Sequence, residues 1–474
     1  MTTTECVVSL ENSSIHEIAR KVATGERLTY EEGLRLYLSP DIHTLGRLAN
    51  LVRERLHGRV AYYNINRHIN YSNYCVLRCK FCSFYRPYPK ERVQSERVQG
   101  SGFRVQDPAP QVSRPAREHS GVQGSGLSVQ DGKPLPDGRG SEMLSGLAAR
   151  SIPLPLAGDA ARTLPDGRGS ELSTQYSALS TDSGGYELSL DDIVARAKEA
   201  YAQGATEVHI VGGLHPRLPF EFYTDMCSAI RAVCPGLHIK AFTAIEIIHF
   251  TRIAKPRLSI ADVLTRLVEA GLGSLPGGGA EIFDDRVHDE AFKTKVGEAE
   301  WFEVHRTAHE LGIFSNATML YGHVETPAER IRHLVKLREH QDESLRSRKA
   351  HFNCIIPLSF IPDGSALEHL PGPTGLMDLK TLAISRLMLD NFPHVKAFWI
   401  MQTPKLAQVS LNWGVDDIDG TVVYYDITKR EGHGTTHQEL TVDRLKRLIC
   451  EAGCTPVERD TLYRPVRCPS SSDL

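Results

Sequence analysis

YYNINRHINYSNYCVLRCKFC, running from Tyr62 to Cys82, joins a strand pattern to a cysteine cluster, and the rest of the chain is read outward from it. Tyr62–Asn70 reads as a strand. A few residues later come Cys75, Cys79 and Cys82, with three and two residues between them. Thiolates are the ligands of cubane iron–sulfur clusters. This spacing lets one loop wrap a [4Fe–4S] cubane and present three sulfurs to three irons. A structural zinc site takes four ligands. No fourth Cys or His follows Cys82 at short range, although His68 precedes the motif. Three thiolates leave one iron open to a second molecule. The plainer alternative is three buried or zinc-binding thiols.

Beyond the cluster, strand and helix signals alternate. Strands are predicted at Thr206–Gly213, His238–Ile245, Gly273–Gly278, Phe314–Tyr321, His351–Phe360, Val395–Met401 and Gln408–Val415. Helices are predicted at Ser189–Ala202, Pro219–Val233, Glu298–Leu311, Pro327–His340, Leu376–Asp390 and Val442–Ala452. Ser259–Asp262 and Thr326–Glu329 have capping-box form, and Pro327 sits at a first helical position. Gly271, Gly312 and Gly453 follow amphipathic runs as helix stops. Parallel β/α units of this kind predict a (β/α)8 TIM-type barrel. The connection Thr403–Ala407 is too short for a full helix, so a partial barrel or open sheet is the competing architecture.

The segments expected are an N-terminal helical layer (1–56), the first strand and cluster loop (57–90), an insertion (91–185), the remaining barrel (186–460) and a tail (461–474). The insertion is rich in Gly, Ser, Pro, Gln and Arg and repeats itself. LPDGRGSE occurs at Leu135–Glu142 and Leu164–Glu171, and VQGSGFRVQD (Val98–Asp107) recurs as VQGSGLSVQD (Val122–Asp131). Such composition buries too little apolar surface to offset chain entropy, which predicts disorder.

The 474 residues are 41% hydrophobic and 24% charged, ordinary for a globular protein. A net charge of -3 points to neither a nucleic-acid nor an anionic-membrane partner. With no secretory leader pattern and no apolar run of spanning length, the expected location is the cytoplasm. Ten cysteines in so long a chain do not suggest a disulfide scaffold. Cys450, Cys454 and Cys468 imitate a second cluster site, but Cys450 lies in a helical pattern and Cys454 just beyond its stop. Cys6, Cys227, Cys234 and Cys354 read as isolated thiols.

In a β/α barrel, chemistry gathers where the strands end. His215 follows the second strand and reads either as a substrate contact or as structural. On the third strand His238, Lys240, Phe242, Ala244 and Glu246 share a face. A lysine there needs an acidic partner or an anionic ligand. Asn316 and His323 lie along and after the fifth strand, with Glu325 close by. Asp416 and Asp417 fall in a glycine-bounded turn, facing either a ligand or solvent.

CxxxCxΦC with Phe81 before the last cysteine, after the first strand of a β/α array, resembles the radical S-adenosylmethionine (SAM) superfamily. The resemblance implies one [4Fe–4S] cluster whose open iron is chelated by SAM, and a 5′-deoxyadenosyl radical made by reductive cleavage. It assigns SAM contacts to Phe81 and to Gly212 and Gly213, which stand where the superfamily has a GGE-type turn; Glu281, at the end of the glycine run Leu275–Glu281 after the fourth strand, is placed to accept from the SAM ribose or amine. Leu214 replaces the usual acid of that turn, so only a backbone role carries over.

Longer strings narrow the resemblance. NINRHINYSNYCVLRCKFCSFYRP, HIVGGLHPRLPFEFY, HIKAFTAIEI, SLPGGGAEIF, SNATMLYGHVETPAER and GVDDIDGTVVYYDIT are together similar to the aminofutalosine synthases of the futalosine route to menaquinone. That family adds the 5′-deoxyadenosyl radical to the enol-ether double bond of 3-[(1-carboxyvinyl)oxy]benzoate, so SAM is a co-substrate. An electron donor such as flavodoxin or ferredoxin is implied. Arg86, His215, Lys240, Asn316 and His323 are the candidates for the aromatic substrate. The rivals are dehypoxanthine futalosine cyclase, a deazaflavin-forming radical SAM enzyme and, from another class, a non-catalytic iron–sulfur electron carrier.

Overall fold

Short parallel strands carry the fold of this computed structural model, which describes residues 15–89, 184–422, 427 and 438–466. All of these belong to one structural unit. Most of the expected insertion, residues 91–183, and residues 467–474 of the tail lie outside the described residues.

β1 (Val60–Asn64) and β2 (Asn66–Ile69) are one run of chain that changes neighbours at Ile65. β2 pairs with β3 (Glu207–Ile210), which continues to β4 (His238–Ala241) and β5 (Leu272–Ser274). β6 (Ser315–Tyr321), β7 (Phe352–Ser359) and β8 (His394–Val395) form the next sheet. Bridges from Leu275 to Ser315 and from Lys396 to Asp417 link these sheets to each other and to β9 (Asp417–Gly420). β9 pairs with β1, while β10 (Thr455–Glu458) lies outside it. Counting β1 with β2 as one stave, an eight-stave circuit closes. The fold is therefore a closed barrel, and the partial alternative falls. Every residue of β2, β6 and β9 is buried, as parallel staves wrapped by helices require.

Capping sets where strands give way to helices. The boxes at Ser259–Asp262 and Thr326–Glu329 form as read. A third, Thr243–Glu246, starts helix Ala244–Ile253 and ends the predicted strand His238–Ile245 at Ala241. Ala244 and Glu246 therefore leave the face they were expected to share with Lys240. The short fourth strand likewise stops at Ser274.

Gln408–Val415 is not a strand. Thr403 caps helix Pro404–Ser410, with Pro404 in its first turn, and the chain then turns through Gly414 at φ 93°. The eighth stave is instead Asp417–Gly420, which the sequence suggested was a turn. Val395–Met401 also stops short, because Trp399–Gln402 is helical. The seventh connection thus holds two short helices.

The N-terminal layer comprises residues 15–24, Tyr30–Leu38 and Ile42–His57. It packs on helix Gly375–Met388, where Tyr37 Oη lies 2.9 Å from Thr381 Oγ1. At Gly33 a Cβ would sit 2.4 Å from Met388 Sδ, so a side chain there would have to displace the flexible end of Met388. Among the described residues, no helix is long and apolar enough to cross a membrane.

Candidate functional site

The cysteine loop is a lobe with a tied neck. Arg86 N–H donates to Asn73 O at 2.8 Å and Cys75 N–H to Arg86 O at 3.1 Å. The Arg86 guanidinium folds back to donate to Ser83 O and Tyr85 O at 2.9 and 2.8 Å. Lys80 N–H reaches Ala291 O at the end of helix Asp285–Ala291, Ala366 N–H reaches Lys80 O, and Val76 N–H reaches Leu214 O, which anchors the lobe to three neighbouring segments. Cys75, Cys79 and Cys82 line one side of a cavity of about 280 Å3 beside the strand ends.

Burial pushes all three thiols up, Cys79 to about 12. Without a cation they stay protonated, and metal binding must release those protons. Burial at Cys82 is opposed by the backbone N–H groups of Tyr85 and Phe84, donors of the kind that steady cluster thiolates. Zinc–thiolate bonds of about 2.3 Å would draw the sulfurs to roughly 4 Å from one another. Among the described residues, the group whose ligand atoms all lie within 4.8 Å is His57, His394 and Asp416, not the three cysteines. The three sulfurs are therefore not all within 4.8 Å of one another, a wider spacing than a zinc tripod needs.

Beside the cysteines, Lys295 pairs with Glu281, and its Nζ stands 5.1 Å from the centre of the Phe81 ring. Burial would lower Lys295, but the Glu281 carboxylate holds it up at about 12. Glu281 has φ 46°, so a non-glycine residue takes the left-handed conformation at the cavity edge. Gly212 N–H donates to Glu246 Oε1 at 3.2 Å, and Gly213 N–H to Ser72 O at 2.8 Å. These glycines have committed their amide hydrogens inward. What they bring is close approach, since a Cβ on Gly213 would lie 2.3 Å from Tyr74 O.

Glu246, which lines the cavity, also accepts from Tyr71 Oη at 2.8 Å and Thr243 N–H at 2.7 Å. Burial raises it to about 7 against those bonds. Its signal in the sequence was the Thr243–Glu246 capping box.

Deeper, between the staves, Lys240 pairs with Glu207 at 2.5 Å and Lys396 with Asp419 at 2.9 Å. Lys396 was not anticipated as a site residue, while Asp419 belongs to the acidic stretch read as either a ligand contact or a solvated turn. His68 and His209 stand beside them, ring centres 4.4 Å apart. Asp417 pairs with Arg459, and Asp416 with Arg386 and His394, so the acids of the supposed turn are internal.

Arg86, His215, Asn316 and His323 are not among the cavity-lining residues. Arg86 braces the loop. His215 Nε2 lies 2.8 Å from Glu187 Oε2, and its Nδ1 accepts from Arg217 and Leu218 N–H. Asn316 is buried in β6, its N–H donating to Leu275 O. His323 Nε2 lies 3.1 Å from Leu320 O, while Glu325 accepts from the N–H groups of Gly322 and His323 and pairs with Arg330. Cys450 is exposed and Cys454 lies 3.8 Å from Arg53 Nη1. Cys468, like Cys6, falls outside the described residues.

Comparison with known proteins agrees with this geometry. The radical SAM superfamily pattern matches residues 173–337, beginning after the cysteine loop, and the CofH/MqnC C-terminal region matches residues 349–472. The HydG maturase of FeFe-hydrogenase from Carboxydothermus hydrogenoformans superposes with a TM-score of 0.58 at 14% identity. That match covers 98% of this chain and 87% of HydG, a likeness of fold alone. Cyclic dehypoxanthine futalosine synthase from Streptomyces coelicolor is 28% identical over 96% of this chain and 89% of its own. Aminodeoxyfutalosine synthase from the same organism is 34% identical over 95% of this chain and 94% of its own. The aminodeoxyfutalosine synthase of Thermus thermophilus is 39% identical over 95% of both chains. With likeness of that extent on a closed barrel of this kind, the chain belongs to the aminodeoxyfutalosine synthase family of radical SAM enzymes.

Proposed function

We propose that this protein adds the 5′-deoxyadenosyl group of SAM to the enol-ether double bond of 3-[(1-carboxyvinyl)oxy]benzoate. The products are 6-amino-6-deoxyfutalosine, methionine and bicarbonate, with water consumed, in the formation of menaquinone. The observation that carries this reading is the three-cysteine side of a largely apolar cavity at the strand ends, in a chain that aligns nearly end to end with aminodeoxyfutalosine synthases.

Cys75, Cys79 and Cys82 would hold three corners of a [4Fe–4S] cluster. When bound, that cluster supplies the electron that breaks the SAM sulfonium and frees the adenosyl carbon for addition. Phe81, Gly212, Gly213 and Glu281 would hold SAM. Because the glycine amides are engaged internally, a carbonyl oxygen is what that turn can offer the SAM ammonium. Ile245, Leu320, Ile356, Leu358 and Phe360 line the cavity and exclude water and competing hydrogen donors. A flavodoxin or ferredoxin in the cytoplasm would supply the electron. The segment 91–185 is an insertion into an otherwise continuous barrel chain.

The test is anaerobic reconstitution with iron, sulfide and dithionite, followed by turnover with labelled SAM and the enolpyruvyl benzoate. Mass analysis should find the adenosyl carbon in the nucleoside product. Free 5′-deoxyadenosine without adduct would instead point to hydrogen abstraction, the rival chemistry.

A further inference from the structure

A substrate with two carboxylates has to be held so that its alkene, not either acid, faces the adenosyl carbon. Among the described residues, the lysines lining the cavity are Lys240, Lys295 and Lys396. Lys295 belongs to the cysteine side through Glu281. Lys240 and Lys396 sit deeper, only 4% and 2% exposed. Each has one carboxylate partner, Glu207 at 2.5 Å and Asp419 at 2.9 Å. An ammonium carries three N–H donors, so each retains donors for a ligand in the cavity.

Stability does not explain this placement. Two buried ion pairs lose much hydration, and apolar side chains of like volume would fill the space as well or better. The two lysines also act together. Burial should raise the Glu207 carboxyl, yet Lys240 and Lys396 hold it well below the usual carboxylate range. Both ammonium groups therefore stand near one carboxylate, which offsets part of the burial that pushes Lys240 down.

We infer that Lys240 and Lys396 form a two-ammonium clamp for the ring carboxylate of the aromatic substrate. The inference rests on the reaction proposed above and deepens it. The enolpyruvyl carboxylate is bonded directly to an alkene carbon, so it must stay near the cysteine side. The ring carboxylate is the far end of the molecule and reaches the interior of the barrel. His68, His209 and Phe398, all lining the cavity, flank the path of the ring.

Binding of 3-methoxybenzoate to the SAM-loaded, cluster-containing enzyme tests this without turnover. Lys240→Met and Lys396→Met should each weaken it on the order of 10- to 100-fold, the loss of a charge-assisted hydrogen bond. Binding of 3-methoxybenzamide should hardly change. Wild-type enzyme that takes the amide as well as the acid would overturn the clamp. Lys240→Met alone leaves Glu207 buried and unpaired, so Glu207→Gln/Lys240→Met is measured beside it. Normal benzoate binding in that double variant also overturns the clamp. Formation of the adenosyl adduct by wild-type enzyme is scored separately, so failure of the reaction and failure of the clamp give different patterns.

Discussion

Gly213 shows how tightly the cysteine loop is held. A methyl group there would meet Tyr74 O at 2.3 Å and Cys75 Cβ at 3.0 Å. Backbone cannot yield as a flexible side chain can, so Gly213→Ala should push Cys75 out of register. The expected result is lowered iron content after reconstitution and a loss of roughly 1–3 kcal/mol in stability, as overpacking gives. Wild-type iron loading in that variant would show that the loop tolerates displacement. Cys79→Ser acts differently, removing a thiolate while leaving the fold. It should abolish SAM cleavage, because the remaining two sulfurs retain the cluster poorly, while the thermal midpoint of the cluster-free protein stays unchanged. Retained turnover would end the proposed ligand assignment. At this scale the sequence showed the cysteines clearly, since their spacing is local. Lys396 and Lys295 were hidden because what brings each into the cavity is the tertiary fold, whereas Glu246 was placed beside Lys240 on a strand and reaches the cavity from a helix cap instead. Lys396 and Asp419, for instance, meet only through adjacent staves.

Elements were legible where their signals were local. Caps such as Ser259–Asp262 and Thr326–Glu329 fixed helix starts because the partner lies three residues away. β9 escaped notice because Asp417 and Asp419 look like turn residues until Arg459 and Lys396 neutralise them inside the barrel. Gln408–Val415 misled through alternation that helix Pro404–Ser410 accommodates equally well. The neck of the cysteine loop supports a prediction about the insertion. Asn73 Nδ2 donates to Gly184 O at 3.0 Å, and Asn73 Oδ1 accepts from Tyr186 N–H at 2.8 Å. Asn73 O accepts from Arg86 N–H as well, so one residue ties the chain on both sides of the segment. A short connector can span that distance. Deleting Gln94–Thr181 should therefore preserve cluster content and product formation. A folded deletion variant that loads the cluster but makes no adduct would make the segment part of the working enzyme.

Across the whole molecule, the staves depend on helices whose buried histidines should make the fold sensitive to acid. His305 and His309 share Ser315 Oγ at 2.9 and 2.8 Å, and His309 Nδ1 lies 2.8 Å from Ser344 Oγ. His333 Nδ1 accepts from Phe283 N–H, so its Nε2 donates to Thr318 O, an arrangement that requires the neutral ring. Burial lowers all of these, with His333 and His340 both reaching about 3. Unfolded histidine takes up its proton near pH 6.5. As pH falls from there, the unfolded chain binds protons that the folded one refuses. Stability is therefore full above pH 6.5 and is lost progressively toward the folded values, by up to roughly 1.4 kcal/mol per pH unit per histidine. Glu246 opposes this, since its carboxyl, raised to about 7, gains a proton in the folded state first. One such carboxyl against four histidines leaves the acid-sensitive sign. His340 isolates the effect, because its Nε2 has no hydrogen-bond partner among the described residues and its ring packs on Phe302 and Phe352. His340→Phe should be at least as stable at pH 7.5 and should lose stability less steeply between pH 6.5 and 5, by about one proton's worth of slope. Anaerobic urea titrations across that range read the slope directly, and parallel curves for the two proteins would mean that His340 titrates alike in both states.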